Sequence, residues 1–215
     1  MARLPWPLPA PRELGWTLKP MESARTSMDR LPDGHLELRI EHSVVRGITT
    51  EMLAWWFQMF DGETSYRSQR IAAYLLWHPL DHVSLSVTRD RAGRVAPSQR
   101  IHIREVFGRD PRFAVDQVVT IHRWDTGGIG FHLDHLGHRV FSLDHTFEDL
   151  GSGVRYRSHA RIGAARGPLR PLLNRLFVPR LFGEEKARAW LRHNVEEVGC
   201  FEEFLPEIYA QRPKP

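Results

Sequence analysis

Residues 184–210 read EEKARAWLRHNVEEVGCFEEFLPEIYA, and the fold turns on them. Their spacing predicts one long amphipathic helix. Glu184 and Glu185 fall in its first turn, where negative charge suits the helix dipole. At about 100° per residue, Trp190, Phe201, Phe204, Leu205 and Ile208 share one side, and Ala187, Leu191 and Val198 widen that arc. His193 and Glu197 fall within the arc or at its edge, whereas Glu196, Glu202, Glu203 and Glu207 fall outside it. Glu197 is therefore expected to point into an apolar interior, with His193 one turn away on the same face. A lone carboxylate there is costly and tends to keep its proton. A divalent metal held by both residues would resolve that cost, and so would a plain buried His–Glu hydrogen bond. The helix by itself leaves both open. Cys200 lies on the side away from His193 and is expected to be inert.

The rest of the chain supplies something for this helix to pack on. From His82 to Ile162 the sequence alternates as successive strands, with turns marked by Gly127-Gly128, Gly137 and Gly151–Gly153. Before them come a strand over His35–Val45, a helix over Glu51–Phe60 capped by Thr49 or Thr50, and a second helical stretch ending near Leu76 before Pro79. Residues 1–34 carry Pro5, Pro7, Pro9 and Pro11 without periodicity. They are expected to form a Pro-rich N-terminal arm that lies across the domain or is partly mobile, with residues 35–215 as the domain proper. This order predicts an α+β, helix-grip architecture: a curved antiparallel β-sheet wrapped around a long C-terminal helix, with two short helices after the first strand. START-type and birch-allergen-like domains have that arrangement. It leaves a cavity where a small molecule would bind.

Composition narrows the function classes. The net charge is +4, but the 30 basic residues are dispersed among 26 acidic ones, so a nucleic-acid partner is not expected. The mildly basic segment Arg161–Arg180 also holds Leu169, Leu172, Leu173, Leu176 and Phe177, and reads as an amphipathic loop or short helix. No apolar run approaches the roughly 18 residues that cross a bilayer, and the start of the chain does not read as a secretory signal. Neither a membrane partner nor an internal disulfide is expected, the latter because Cys200 is the single cysteine. These features fit a cytoplasmic protein. A homodimer is left open.

A second inward acid lies on a strand. In Ile101-His102-Ile103-Arg104-Glu105-Val106-Phe107, period two places Glu105 with Ile101, Ile103 and Phe107 on the apolar face. Two buried carboxylates repel unless a cation or a proton lies between them, and a mixed His and carboxylate set suits Zn²⁺ or a similar divalent ion. The competing reading of Glu105 is an ion pair with an arginine such as Arg123. His78 and His82 are both candidates for a further ligand. Alternation groups His82 with Ser84 and Ser86 and does not decide its direction. His132, His135 and His138 flank a turn, and His145 and His159 read as satisfied sheet residues.

Two segments carry a family resemblance. Residues 49–57, TTEMLAWWF, and 74–82, YLLWHPLDH, resemble motifs of the 2,4-diacetylphloroglucinol hydrolases, to which phloretin hydrolase is related. The resemblance covers much of Glu41–Glu197. It implies a helix-grip fold and a Zn²⁺ held by two histidines and two glutamates. It also implies hydrolysis of the carbon–carbon bond between an acyl group and a phenolic ring. Matched position by position, it places metal ligands at His82, Glu105, His193 and Glu197, and a substrate-contacting tyrosine at Tyr74. A second such tyrosine falls on Tyr156, without a motif to anchor it. The implied partner is a small aromatic or ketonic substrate. The sequence departs from the family in its short spacing from His82 to Glu105 and in its Pro-rich arm. The competing function is a non-catalytic helix-grip binding protein for a hydrophobic aromatic or polyketide ligand.

Overall fold

The computed structural model describes residues 4–212. Arg25–Arg30 (β1) and Leu36–Glu41 (β2) form a hairpin, followed by a two-residue strand, Val45–Arg46 (β3). Thr50–Met59 (α1) leads to a small separate hairpin of Glu63–Tyr66 (β4) and Gln69–Ala72 (β5), then one helical turn and a half, Ala73–Trp77 (α2). Five longer strands and one more close the sheet: His82–Val87 (β6), Arg100–Val106 (β7), Ala114–Asp125 (β8), Gly128–His135 (β9), His138–Asp149 (β10) and Gly153–Ile162 (β11). Arg170–Leu181 (α3) and Glu184–Ala210 (α4) end the fold. The sheet order is β1-β2-β11-β10-β9-β8-β7-β6, antiparallel at each pairing, with β3 added to β11.

The helix lies in the grip of this sheet because both have one apolar face to bury. Phe201, Phe204, Leu205 and Ile208 of α4 pack in one cluster with Trp56 and Phe57 of α1, with Trp77, and with Ile121, Ile129 and Tyr156 of the strands. About two to four turns nearer its start, Ala187, Trp190, Leu191 and Val195 pack with Leu36, Leu38 and Ile40 of β2 and Ala160 and Ile162 of β11. Burying a side chain of the Leu or Phe class contributes roughly 1.5–3 kcal/mol each, so both clusters along α4 stabilise the fold. The expected α+β helix-grip architecture is the observed one. The Thr49 hydroxyl caps α1 by accepting from the Met52 N–H at 3.2 Å.

One local expectation differs. The second helical stretch shrinks to α2, because residues 63–72 pair as a tight hairpin. Arg67 and Ser68 turn it with φ of 48° and 65°. That left-handed turn is ordinarily signalled by Asn or Gly, and neither is present. Residues of the Pro-rich arm lie against the body. Residues 25–30 form edge strand β1, with Met28 opposite Leu38, and Leu14, Trp16 and Leu18 pack against the core. The strand is polar, and its ladder bonds rather than an apolar face hold it, so alternation does not reveal it.

Candidate metal centre

His82, Glu105, His193 and Glu197 converge. The His82 Nε2 lies 3.5 Å from a Glu105 oxygen and 3.5 Å from a Glu197 oxygen. The His193 Nε2 lies 3.9 Å from the other Glu105 oxygen and 3.7 Å from the same Glu197 oxygen. Each side chain arrives by a local device. His193 and Glu197 are one helical turn apart on the buried face of α4. Glu105 follows Ile101 and Ile103 on the inward face of β7. His82 sits opposite Glu105 in the β6–β7 ladder, beside a register irregularity between His82 and Ser84. An extra residue there re-aims the side chain, so His82 is fully buried while Ser84 and Ser86 stay exposed. The short chain distance from His82 to Glu105 is the length of a neighbouring-strand connection.

The hydrogen bonds behind the histidines fix their chemistry. The His82 Nδ1–H donates to the Tyr74 carbonyl at 2.7 Å, and the His193 Nδ1–H donates to Asp81 Oδ2 at 3.0 Å. In the neutral rings, each Nε2 is thereby left with a lone pair directed at the centre. The His82 Nε2 is buried with no hydrogen-bond partner among the described residues. Two imidazole lone pairs and two carboxylates thus face one another. Four acceptors around one point need a positive charge, and this donor set is of the type that suits Zn²⁺. The alternative of a simple His193–Glu197 hydrogen bond is not formed at 3.7 Å. Arg123 pairs with Asp125, not Glu105. Glu105 instead accepts from the Tyr74 hydroxyl, and the Tyr74 ring stacks on His82 at 3.8 Å.

Without a metal ion, protons take up the electrostatic deficit. Burial raises the Glu197 carboxyl, His193 opposes it, and Glu105 adds to it, carrying it to about 8. Burial lowers His193, but the bond to Asp81 and the charges of Glu105 and Glu197 outweigh it and bring it to about 9. Burial also raises Glu105. Burial and the Glu105 carboxylate push the Tyr74 hydroxyl well above its ordinary range.

Three further residues stand around the centre, and of these only Asp81 was not singled out from the sequence. Asp81 is buried, orients His193, and itself accepts from the Gly108 N–H at 2.9 Å. His78 is not directed at the centre: its Nδ1 accepts from the Asp81 N–H at 3.1 Å, and its Nε2 meets Glu196 at 3.3 Å. Glu196, expected outside the buried arc, is buried and held by His78 and Arg192. Asp81 adjoins His82 in sequence, but a loop residue has no periodicity from which its direction can be read.

The centre opens on a cavity of about 1010 Å³ lined by Tyr74, Glu105, His193 and Glu197. Trp77, Leu85, Phe131, Leu133 and Leu143 form apolar walls, and His145 adds a polar one. Of the implied substrate-contacting tyrosines, Tyr74 borders this space and Tyr156 does not. Tyr156 is buried among His42, His145, Phe147 and Phe201, behind the wall, because its place on β11 lies under α4. The Cys200 thiol is buried and pushed up by desolvation, which agrees with an inert thiol.

Residues 17–122 match the family described as the DAPG hydrolase PhiG domain. The resemblance seen in the sequence therefore holds over that span, which contains Tyr74, His82 and Glu105 and ends before α4. No curated protein matches the sequence. Among solved structures, a START superfamily protein from Mycobacterium smegmatis is 12% identical. The alignment covers 79% of this chain and 97% of that one, with a TM-score of 0.47. A protein from Nitrosomonas europaea is 11% identical over 80% of this chain and 96% of its own, with a TM-score of 0.45.

Proposed function

We propose that this DAPG-hydrolase-like chain is a zinc-dependent hydrolase that cleaves the carbon–carbon bond between an acyl group and a phenolic ring. One observation carries the reading: two histidine Nε2 atoms and two glutamates face a single point at the wall of a large apolar cavity. His82, Glu105, His193 and Glu197 would hold the ion. When bound, it supplies Lewis acidity beside the substrate carbonyl.

The chain's own residues do the rest. Trp77, Phe131 and Leu133 offer flat and apolar surface to an aromatic ring and exclude water from it. The Tyr74 hydroxyl, held by Glu105 at the cavity wall, can turn its proton toward a carbonyl oxygen as negative charge develops there. Water adds to the acyl carbon, the bond to the ring breaks, and its electron pair passes into the ring. The ring carbon then needs a proton. The added water supplies it, and the Tyr74 hydroxyl at the cavity wall is placed to relay it.

The test is metal analysis and turnover on purified protein, with an acylphloroglucinol as substrate and release of the carboxylic acid as readout. Stoichiometric zinc in the wild type, lost in His193→Ala and Glu105→Ala together with turnover, is the expected result. Metal-free, fully stable wild-type protein would sink the proposal. The size and apolar lining of the cavity favour a second reading, a carrier of a hydrophobic aromatic ligand. That reading requires ligand binding that survives chelation and no turnover.

A further inference from the structure

The large apolar residues exposed among the described ones are not scattered. Apart from Val44 they are Leu136, in the β9–β10 turn, and six residues between 169 and 181. These are Leu169, Leu172, Leu173, Leu176, Phe177 and Leu181, from 41% to 70% exposed. The cause lies in how α3 is seated. Asn174 and Val178 are its buried side chains. The Asn174 amide donates to the Asp33 carbonyl at 3.2 Å, and its oxygen accepts from the Ala164 N–H at 2.7 Å. Gly34 lets the helix backbone come so close that an added Cβ would lie 2.8 Å from the Arg175 nitrogen. With that side fixed, helical periodicity turns Leu172 and Leu176 to the opposite, outward side. Leu169, Leu173, Phe177 and Leu181, with Leu136, form the rim of the cavity.

Charge says what this face meets. From residue 150 to residue 183 the sequence holds no acidic residue. Arg166, Arg170, Arg175 and Arg180 are interleaved with the apolar residues in sequence; Arg166, Arg175 and Arg180 are exposed, while Arg175 donates to the Pro32 carbonyl at 2.8 Å. Only Arg170 pairs with a carboxylate among the described residues, that of Asp33 at 3.4 Å. A second copy docking by the same face would set these arginines against their equivalents, since a two-fold contact pairs like surfaces. An apolar stripe flanked by arginines instead fits an anionic bilayer surface, with the side chains among the acyl chains and the guanidinium groups at the lipid phosphates. Among the described residues no helix is long and apolar enough to cross a membrane.

We propose that α3 and the β9–β10 turn dock the protein on anionic lipid surfaces, with the cavity mouth opening onto the bilayer. An apolar ligand dissolved in the lipid then enters the cavity without crossing water. The proposal is independent of the metal reading, and it departs from the sequence expectation of no membrane partner, which rested on the lack of a spanning segment.

The experiment is sedimentation of the full chain with vesicles of phosphatidylcholine alone and of equal parts phosphatidylcholine and phosphatidylglycerol, at low and high salt. Binding to the anionic vesicles, weakened by salt, is expected. Leu172→Glu with Leu176→Glu should abolish it. Arg166→Gln with Arg180→Gln should weaken it about fivefold for each arginine removed. All variants should keep the wild-type melting temperature, because these side chains are exposed. Equal binding to both vesicle types, or none to either, overturns the proposal. So does a wild-type dimer that Leu172→Glu with Leu176→Glu converts to monomer, since a second copy would then cover the face.

Discussion

Asp81→Asn separates a centre built to hold a cation from a set of buried groups that merely share protons. Asp81 is 1% exposed, and its Oδ2 accepts both from His193 Nδ1–H at 3.0 Å and from Gly108 N–H at 2.9 Å. The carboxylate can only accept, so it fixes which ring nitrogen of His193 carries the proton. Asparagine is nearly isosteric and has two outcomes. If its oxygen keeps both bonds, only the charge is lost. If the amide turns its NH₂ toward His193, the proton moves to Nε2 and the lone pair facing Glu105 and Glu197 disappears. A charge-assisted hydrogen bond of this kind contributes roughly 1.5–3 kcal/mol. That converts to a loss of zinc affinity of about 10–100-fold, the usual range for an outer partner of a metal-bound histidine. Competition against a chromophoric chelator measures the affinity, and circular dichroism checks the fold. A folded variant that binds zinc as tightly as wild type would refute the assignment of His193 Nε2 to the metal and of Asp81 to its orientation.

Further outcomes follow from other parts of the site and fold. In chelated protein at neutral pH, Glu197→Gln should raise the melting temperature, since it removes a buried carboxyl that must hold its proton, by about 2 kcal/mol in stability. The same variant should lose most of the stabilisation that added zinc gives the wild type, about 4 kcal/mol when the ion is present at a thousandfold its dissociation constant. Differential scanning calorimetry with and without chelator reads both signs. His42 and His145 share the Ser158 hydroxyl in the interior and are lowered by burial to about 3. The unfolded chain takes up these protons below pH 6.5 and the folded chain does not until near pH 3, so stability is intact above the first value and falls toward the second. Between pH 7 and pH 5 the loss is about 2 kcal/mol per histidine. His145→Gln should flatten the urea-derived pH profile by that amount, and an unchanged slope would contradict it. Comparing the two proteins cancels the opposite contributions of Glu105 and Glu197. Thr49→Ala should cost about 1 kcal/mol through the lost α1 cap, measured by urea denaturation.

The sequence by itself determined the long helix α4, the inward aim of Glu197 and Glu105, and the antiparallel run that grips the helix. In each case the cause is local periodicity, 3.6 residues in α4 and two in β7, which a solvent–core boundary makes visible along a single element. The family motifs added Tyr74 and His82. What tertiary structure alone decided lies where periodicity breaks or where partners come from distant elements. His82 points inward because a bulge beside Val83 changes its side of the strand. His78 is spoken for by the Asp81 backbone and Glu196, and Glu196 is buried because His78 hydrogen-bonds it and Arg192 neutralises it at the edge of the helix face. Asp81 becomes the orienting partner of His193 across 112 residues of chain. Tyr156 is inward-facing, as a strand residue of its kind should be, yet it lies behind the cavity wall, since a strand pattern gives a side chain's direction but not what stands in front of it. The arginine-flanked face of α3 had a legible composition, and only its seating on Asn174, Val178 and Gly34 shows which of its leucines were left uncovered.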